Sequence, residues 1–185
     1  MNEREIAICE AAARMFTRYG VKRTGMNDIA LEAGVARQTL YNIFPNKDAV
    51  LFATIRLFMH RALKETEREL EGCNDLRKQL GVVFEHVARR PYTMLHASPH
   101  AAEIIDGMSA ESRKVIAECY EEYRSIIEKL LAPTKGNIRA SGMTVHQLTD
   151  AILNFAIAAK HEAHDQAHLD ELLRSLTAMT LRCAT

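Results

Sequence analysis

Apolar positions recur at three- and four-residue steps through most of the chain, and the breaks between runs fall at glycine and proline. Ile8, Ala12, Met15, Phe16 and Tyr19 form the first such stripe, which Gly20 ends. Met26, Ile29, Ala30 and Ala33 form a shorter second one. Gly34 follows it directly and can take the left-handed conformation that closes a helix, so the chain turns sharply into Val35. A third short helix is predicted from Arg37 to Phe44, with Val35, Leu40 and Phe44 inward and Pro45 as its stop. Asn46 then caps a long helix from about Lys47 to Gly72, carrying Leu51, Ile55, Phe58 and Ala62 on one face.

Beyond it, Leu76, Leu80, Val83, Phe84 and Val87 make another stripe, and Pro91 and Pro99 divide the segment that follows. A helix from about Ser109 to Leu131 carries Ile116, Cys119, Tyr120, Tyr123, Ile127 and Leu130; breaks are expected at Pro133, Gly136 and Gly142. The run Ala151 to Ala159, within a helix from Thr144 to His164, is apolar around most of its circumference, which calls for burial on both sides. Leu169, Leu172, Leu173, Leu176 and Met179 mark the last helix. The pattern predicts an all-α chain of about nine helices.

The outer side of the third helix carries the most specific chemistry. Arg37, Gln38, Thr39, Tyr41 and Asn42 stay available once Leu40 and Phe44 face inward. A helix of this kind fits a DNA major groove: Gln and Asn match adenine, Arg matches guanine, and Tyr or Thr reaches phosphate. A plain helical hairpin with a solvated face has the same composition, but the turn glycine, the short spacing and the aromatic stop favour a helix-turn-helix. Asp28-Ile-Ala, Ala33-Gly-Val, Thr39-Leu-Tyr, Phe44 and Lys47 together resemble the DNA-binding domain of the TetR family of bacterial transcriptional regulators.

The resemblance covers about the first 60 residues. It implies an amino-terminal three-helix DNA-binding domain at 1–46, a helical ligand-binding and dimerisation domain at 47–185, and DNA contacts at Thr24, Arg37, Gln38, Thr39, Tyr41, Asn42 and Lys47. The first helix packs across the motif as support. Ala36, Gly25 and Met26 replace hydroxyl residues frequent in the family, and Gln38 and Asn42 stand where Gly and an aromatic or His are common. These departures bear on operator sequence rather than on DNA binding.

Charge agrees with that division. The chain is neutral overall, yet residues 1–64 hold ten Lys/Arg against six Asp/Glu, and the remainder fourteen against eighteen. A basic amino-terminal part favours a polyanion partner. With 185 residues and 48% hydrophobic content the chain can bury a sizeable core. No run reaches the roughly 18 apolar residues of a membrane span and no apolar signal core opens the chain, so a cytoplasmic location is expected. Cys9, Cys73, Cys119 and Cys183 lie far apart and read as free thiols. No cofactor is expected.

For the body, the resemblance implies a homodimer through the last two helices as an intermolecular four-helix bundle, placing two reading heads on a palindromic double-stranded operator. It also implies release by a small-molecule inducer that shifts the connecting helix. Met59, Phe84, His86, Tyr92, Met94, Tyr120 and Tyr123 are the candidate lining of an inducer cavity, although each is individually ordinary core chemistry. His161, His164 and His168, with Asp165 and His146 as further donors, have spacing compatible with a metal, but His at a helix end is the commoner meaning. Control by a metal or a protein partner is the alternative to an inducer. A helical enzyme is disfavoured because no nucleophile elbow, phosphate loop or His-Glu-x-x-His motif is present.

Overall fold

The computed structural model describes residues 1–97, 100 and 109–185, which contain helices and no strand. Pro99 lies outside the described residues. The chain forms two compact units: Met1–Arg61 with the described part of Met94–Glu118, and Ala62–Thr93 with Cys119–Thr185.

In the first unit, α1 (Glu3–Tyr19) starts at a capping box in which Asn2 and Glu5 satisfy each other's backbone N–H groups. It leads to α2 (Met26–Glu32), α3 (Arg37–Ile43) and the opening turns of α4 (Lys47–Leu70). Ile8, Ala12 and Phe16 of α1 share one core with Ile29, Leu40, Val50 and Leu51. An Arg14–Glu32 pair at 2.7 Å links α1 to α2 at the surface. Tyr19 departs from the expected stripe: it is 42% exposed, with the Arg18 guanidinium over its ring at 5.2 Å. Coming at the last turn of α1, it has passed the end of the buried face.

The second unit holds the remainder of α4, then α5 (Leu76–Phe84), a π-helical turn (Glu85–Arg89) and the start of α6 (Arg90–Ala97). Pro91 therefore does not end the helix, as its lack of an N–H suggested. The Arg90 N–H bonds Glu85 O five residues back, and this wider turn carries the chain helically through the proline. α7 (Ala110–Leu131) follows, opened by Ser109, whose Oγ accepts the Ser112 N–H. A 3₁₀ turn (Ala132–Thr134) leads into α8 (Lys135–Ala140), so Gly136 lies within a helix rather than breaking one. Fully buried Ile138 anchors that short element.

The chain closes with α9 (Val145–Glu162) and α10 (Gln166–Ala184). These two pack on each other; α9 also packs on the π turn and α10 on α5 and α8. Ile152, Leu153 and Ala156 of α9 meet the core with Leu169 and Leu173 of α10. The opposite side of α9 stays uncovered: Ala151, Asn154 and Ala158 are exposed, Phe155 and Ile157 half-buried. On α10, Met179 is 52% exposed. Ten α-helical stretches are described, and the fifth and sixth run together through the π turn, in agreement with an all-α chain of about nine helices. No helix among the described residues is long and apolar enough to cross a membrane.

Candidate nucleic-acid interface

The angle between α2 and α3 is set by a backbone motif. Gly34 sits at φ +64, its N–H bonds Leu31 O at 3.1 Å, and the Val35 N–H bonds Ala30 O at 3.0 Å. These two bonds satisfy carbonyls at the end of α2 and require a left-handed residue between them, which glycine supplies without a Cβ penalty. α3 then begins after Ala36, whose extended backbone (φ −64, ψ 143) is that of an N-cap but whose methyl group caps nothing. At the far end Phe44 leaves the helix (φ −127, ψ 114), one residue earlier than expected, as the residue before a proline must. Asn46 accepts the Ala49 N–H at 2.9 Å and starts α4.

With Leu40 fully buried below, α3 presents two parallel rows outward. Arg37 and Tyr41 form one, with the guanidinium carbon 5.4 Å from the ring centroid; the stacking holds the long Arg side chain in place. Gln38 and Asn42 form the other, joined by a 2.9 Å bond from Gln38 Nε2 to Asn42 Oδ1. That bond leaves the Gln38 carbonyl and the Asn42 amide N–H groups open, an acceptor beside a donor, which is the pattern adenine reads in the major groove. Arg37, Gln38, Tyr41 and Asn42 are exposed and Thr39 is half-buried. The two pairings escaped the sequence reading, although their four-residue spacing was visible there.

Thr24 and Lys47 turn inward. Thr24 is 2% exposed and its Oγ donates to Gly20 O at 2.8 Å, so its hydroxyl closes the turn after α1 and is not offered to a ligand. Lys47 Nζ donates to Val21 O at 2.6 Å and Thr24 O at 3.0 Å. Its ammonium ties the start of α4 to the 21–24 turn. Neither partner was visible in the residue pattern, because the contacts are to backbone carbonyls.

Residues 8–54 match the family described as bacterial regulatory proteins, tetR family. The matched segment, α1 with the helix-turn-helix and the start of α4, is of the tetR type. Among its relatives is the probable HTH-type transcriptional regulator ArpR of Pseudomonas putida, 33% identical over 132 residues, 64% of this chain and 61% of that protein. The match thus spans about three fifths of that relative's length. Two solved structures share the fold: FadR from Bacillus subtilis in complex with stearoyl-CoA (TM-score 0.65, 19% identity, 97% of this chain and 99% of that one) and a putative regulator from Saccharomonospora viridis in complex with choline (0.72, 17%, 97% and 96%).

The residues proposed for an inducer cavity divide between the two units. Met59 packs against the core of the first unit, and Met94, 60% exposed, lines an open hollow there with Phe58, Arg14 and Arg18. Phe84, His86, Tyr92, Tyr120 and Tyr123 belong to the second unit. Tyr123 is buried with its hydroxyl 3.1 Å from Thr66 Oγ1, and desolvation pushes its ionisation well above the usual tyrosine range. Tyr120 accepts from the buried Lys160 Nζ at 2.6 Å. The thiol of neighbouring Cys119, also buried, is pushed up to about 11 and stays protonated.

The ligand atoms of His161, His164 and His168 do not converge on one point. His164 and His168 stack at 4.2 Å, but Asp165 between them caps α10 by accepting the His168 N–H at 2.7 Å. His146 instead faces Glu128 at 2.9 Å. Among the described residues, ligand atoms of three His, Cys, Asp or Glu side chains converge elsewhere, at Glu65, Glu69 and His86. The step from α9 to α10 separates His161 from the other two, a break that helical spacing alone could not register.

Proposed function

We propose that this chain is a ligand-responsive transcriptional repressor that binds a palindromic double-stranded operator as a homodimer and is released by a small-molecule inducer. The exposed outer face of α3 carries the proposal: Arg37 with Tyr41, and Gln38 with Asn42, form two pre-paired rows on a helix whose underside, through Leu40, is fixed in a core. Arg37, Gln38 and Asn42 read bases, and Tyr41 and Thr39 reach phosphates. Lys47 and Thr24 position the motif through the 21–24 turn.

Dimerisation is supported by the uncovered face of α9 around Ala151, Phe155 and Ala158 together with Met179 of α10, apolar surface that a second copy would bury. Control by a small molecule is supported by neighbours of this fold solved with ligands as unlike as stearoyl-CoA and choline. In this chain Phe84, His86, Tyr92, Tyr120 and Tyr123, all of one unit, are the candidate lining of such a site. Cytoplasmic action follows from the DNA target.

Selection of bound duplexes from random DNA tests the reading. The expected product is an inverted repeat with half-sites about one helical turn apart. Recovery of no enriched sequence, or of a single unrepeated half-site, would count against a dimeric operator-binding regulator.

A further inference from the structure

Glu65 and Glu69 stand one turn apart on α4, and Glu85 and His86 open the π turn. Arg90 is the cation in their midst: Nη1 lies 2.5 Å from Glu65 Oε2, Nη2 3.4 Å from Glu69 Oε1 and Nε 3.3 Å from Glu85 Oε1. Three carboxylates therefore surround one guanidinium, an excess of two negative charges when His86 is neutral. The His86 side chain is 1% exposed, and its Nε2 lies 3.3 Å from Glu69 Oε1. Yet that nitrogen makes no hydrogen bond. A buried imidazole nitrogen left without a bond costs stability, and such groups in native folds call for an occupant.

We propose that Glu65, Glu69 and His86 bind one divalent first-row transition-metal ion. One ligand atom from each already lies within 4.8 Å of the others. Bonds of about 2.0–2.2 Å to one ion require donors roughly 3–4 Å apart. The closing movement falls on the two partly exposed glutamates, while the π turn holds His86 inward. An imidazole nitrogen with two carboxylates suits Zn²⁺ or Mn²⁺ better than Mg²⁺ or Ca²⁺, which favour oxygen alone. A dication also cancels the local excess charge. Arg90 then acts as an internal competitor that holds the carboxylates until the ion replaces it.

The test uses full-length protein without a histidine tag, stripped with a chelator and titrated with Zn²⁺ by calorimetry, with melting followed in parallel. One ion per chain and a raised Tm are expected. Glu65→Gln and Glu69→Gln alter partly exposed side chains and should keep the helical circular-dichroism spectrum while weakening binding at least tenfold. Arg90→Gln should bind at least as tightly as the wild type, and His164→Ala should bind equally well. The proposal is overturned by absence of uptake in the wild type, by Gln variants that bind like the wild type, by loss of binding in folded Arg90→Gln, or by loss in His164→Ala. None of these readouts involves DNA, so failure here is separable from failure of the regulator reading, on which only a regulatory use of the ion would rest.

Discussion

Single residues on α3 divide between those that build the helix and those left free by it. Ala36 occupies the N-cap with the right backbone and the wrong side chain. Ala36→Ser should therefore stabilise the amino-terminal unit by about 0.5–1 kcal/mol, since a hydroxyl there would accept an otherwise unpaired N–H at the start of α3. A denaturation midpoint that does not rise would show that the cap is already satisfied by solvent. The sequence disclosed this deficiency, as it disclosed Gly34 and Phe44, because caps and stops are local chemistry. It did not disclose that Thr24 faces inward, since a hydroxyl after Gly20 can point either way until α1 and the 21–24 turn are folded around it.

At the scale of elements, the joint between α4 and the 21–24 turn depends on one side chain. Lys47→Met removes the donor to Val21 O and Thr24 O, and the half-buried site limits the cost to about 1 kcal/mol. Because the base-reading face is untouched, affinity for the operator and for random duplex should fall by the same factor, read by fluorescence anisotropy at fixed salt. A selective loss on the operator would instead make Lys47 a specificity residue. Element positions were widely legible from periodicity: the breaks at Gly20, Gly34, Pro45 and Gly72 all recur in the structure. Pro91 misled because a helix can continue through a proline when the turn before it widens, as the Arg90 N–H to Glu85 O bond does here. The same turn brings His86 to Glu69, a meeting between residues far apart in sequence that no local pattern encodes.

For the molecule as a whole, the proposed dimer rests on the open side of α9. A charge placed there by Ala158→Arg should leave the helices folded and shift sedimentation from dimer to monomer, with operator affinity falling as one half-site is lost. An unchanged dimer would move the interface elsewhere. The apolar circumference of residues 151–159 had signalled burial on both sides, and the structure accounts for only one of them. The remaining question is whether α3 reads sequence. The direct measurement is the affinity of the wild type and Gln38→Ala for the selected operator and for a random duplex in the same buffer. The account predicts a loss of about 1–3 kcal/mol on the operator with random binding unchanged; equal losses on both, or none on either, would contradict it.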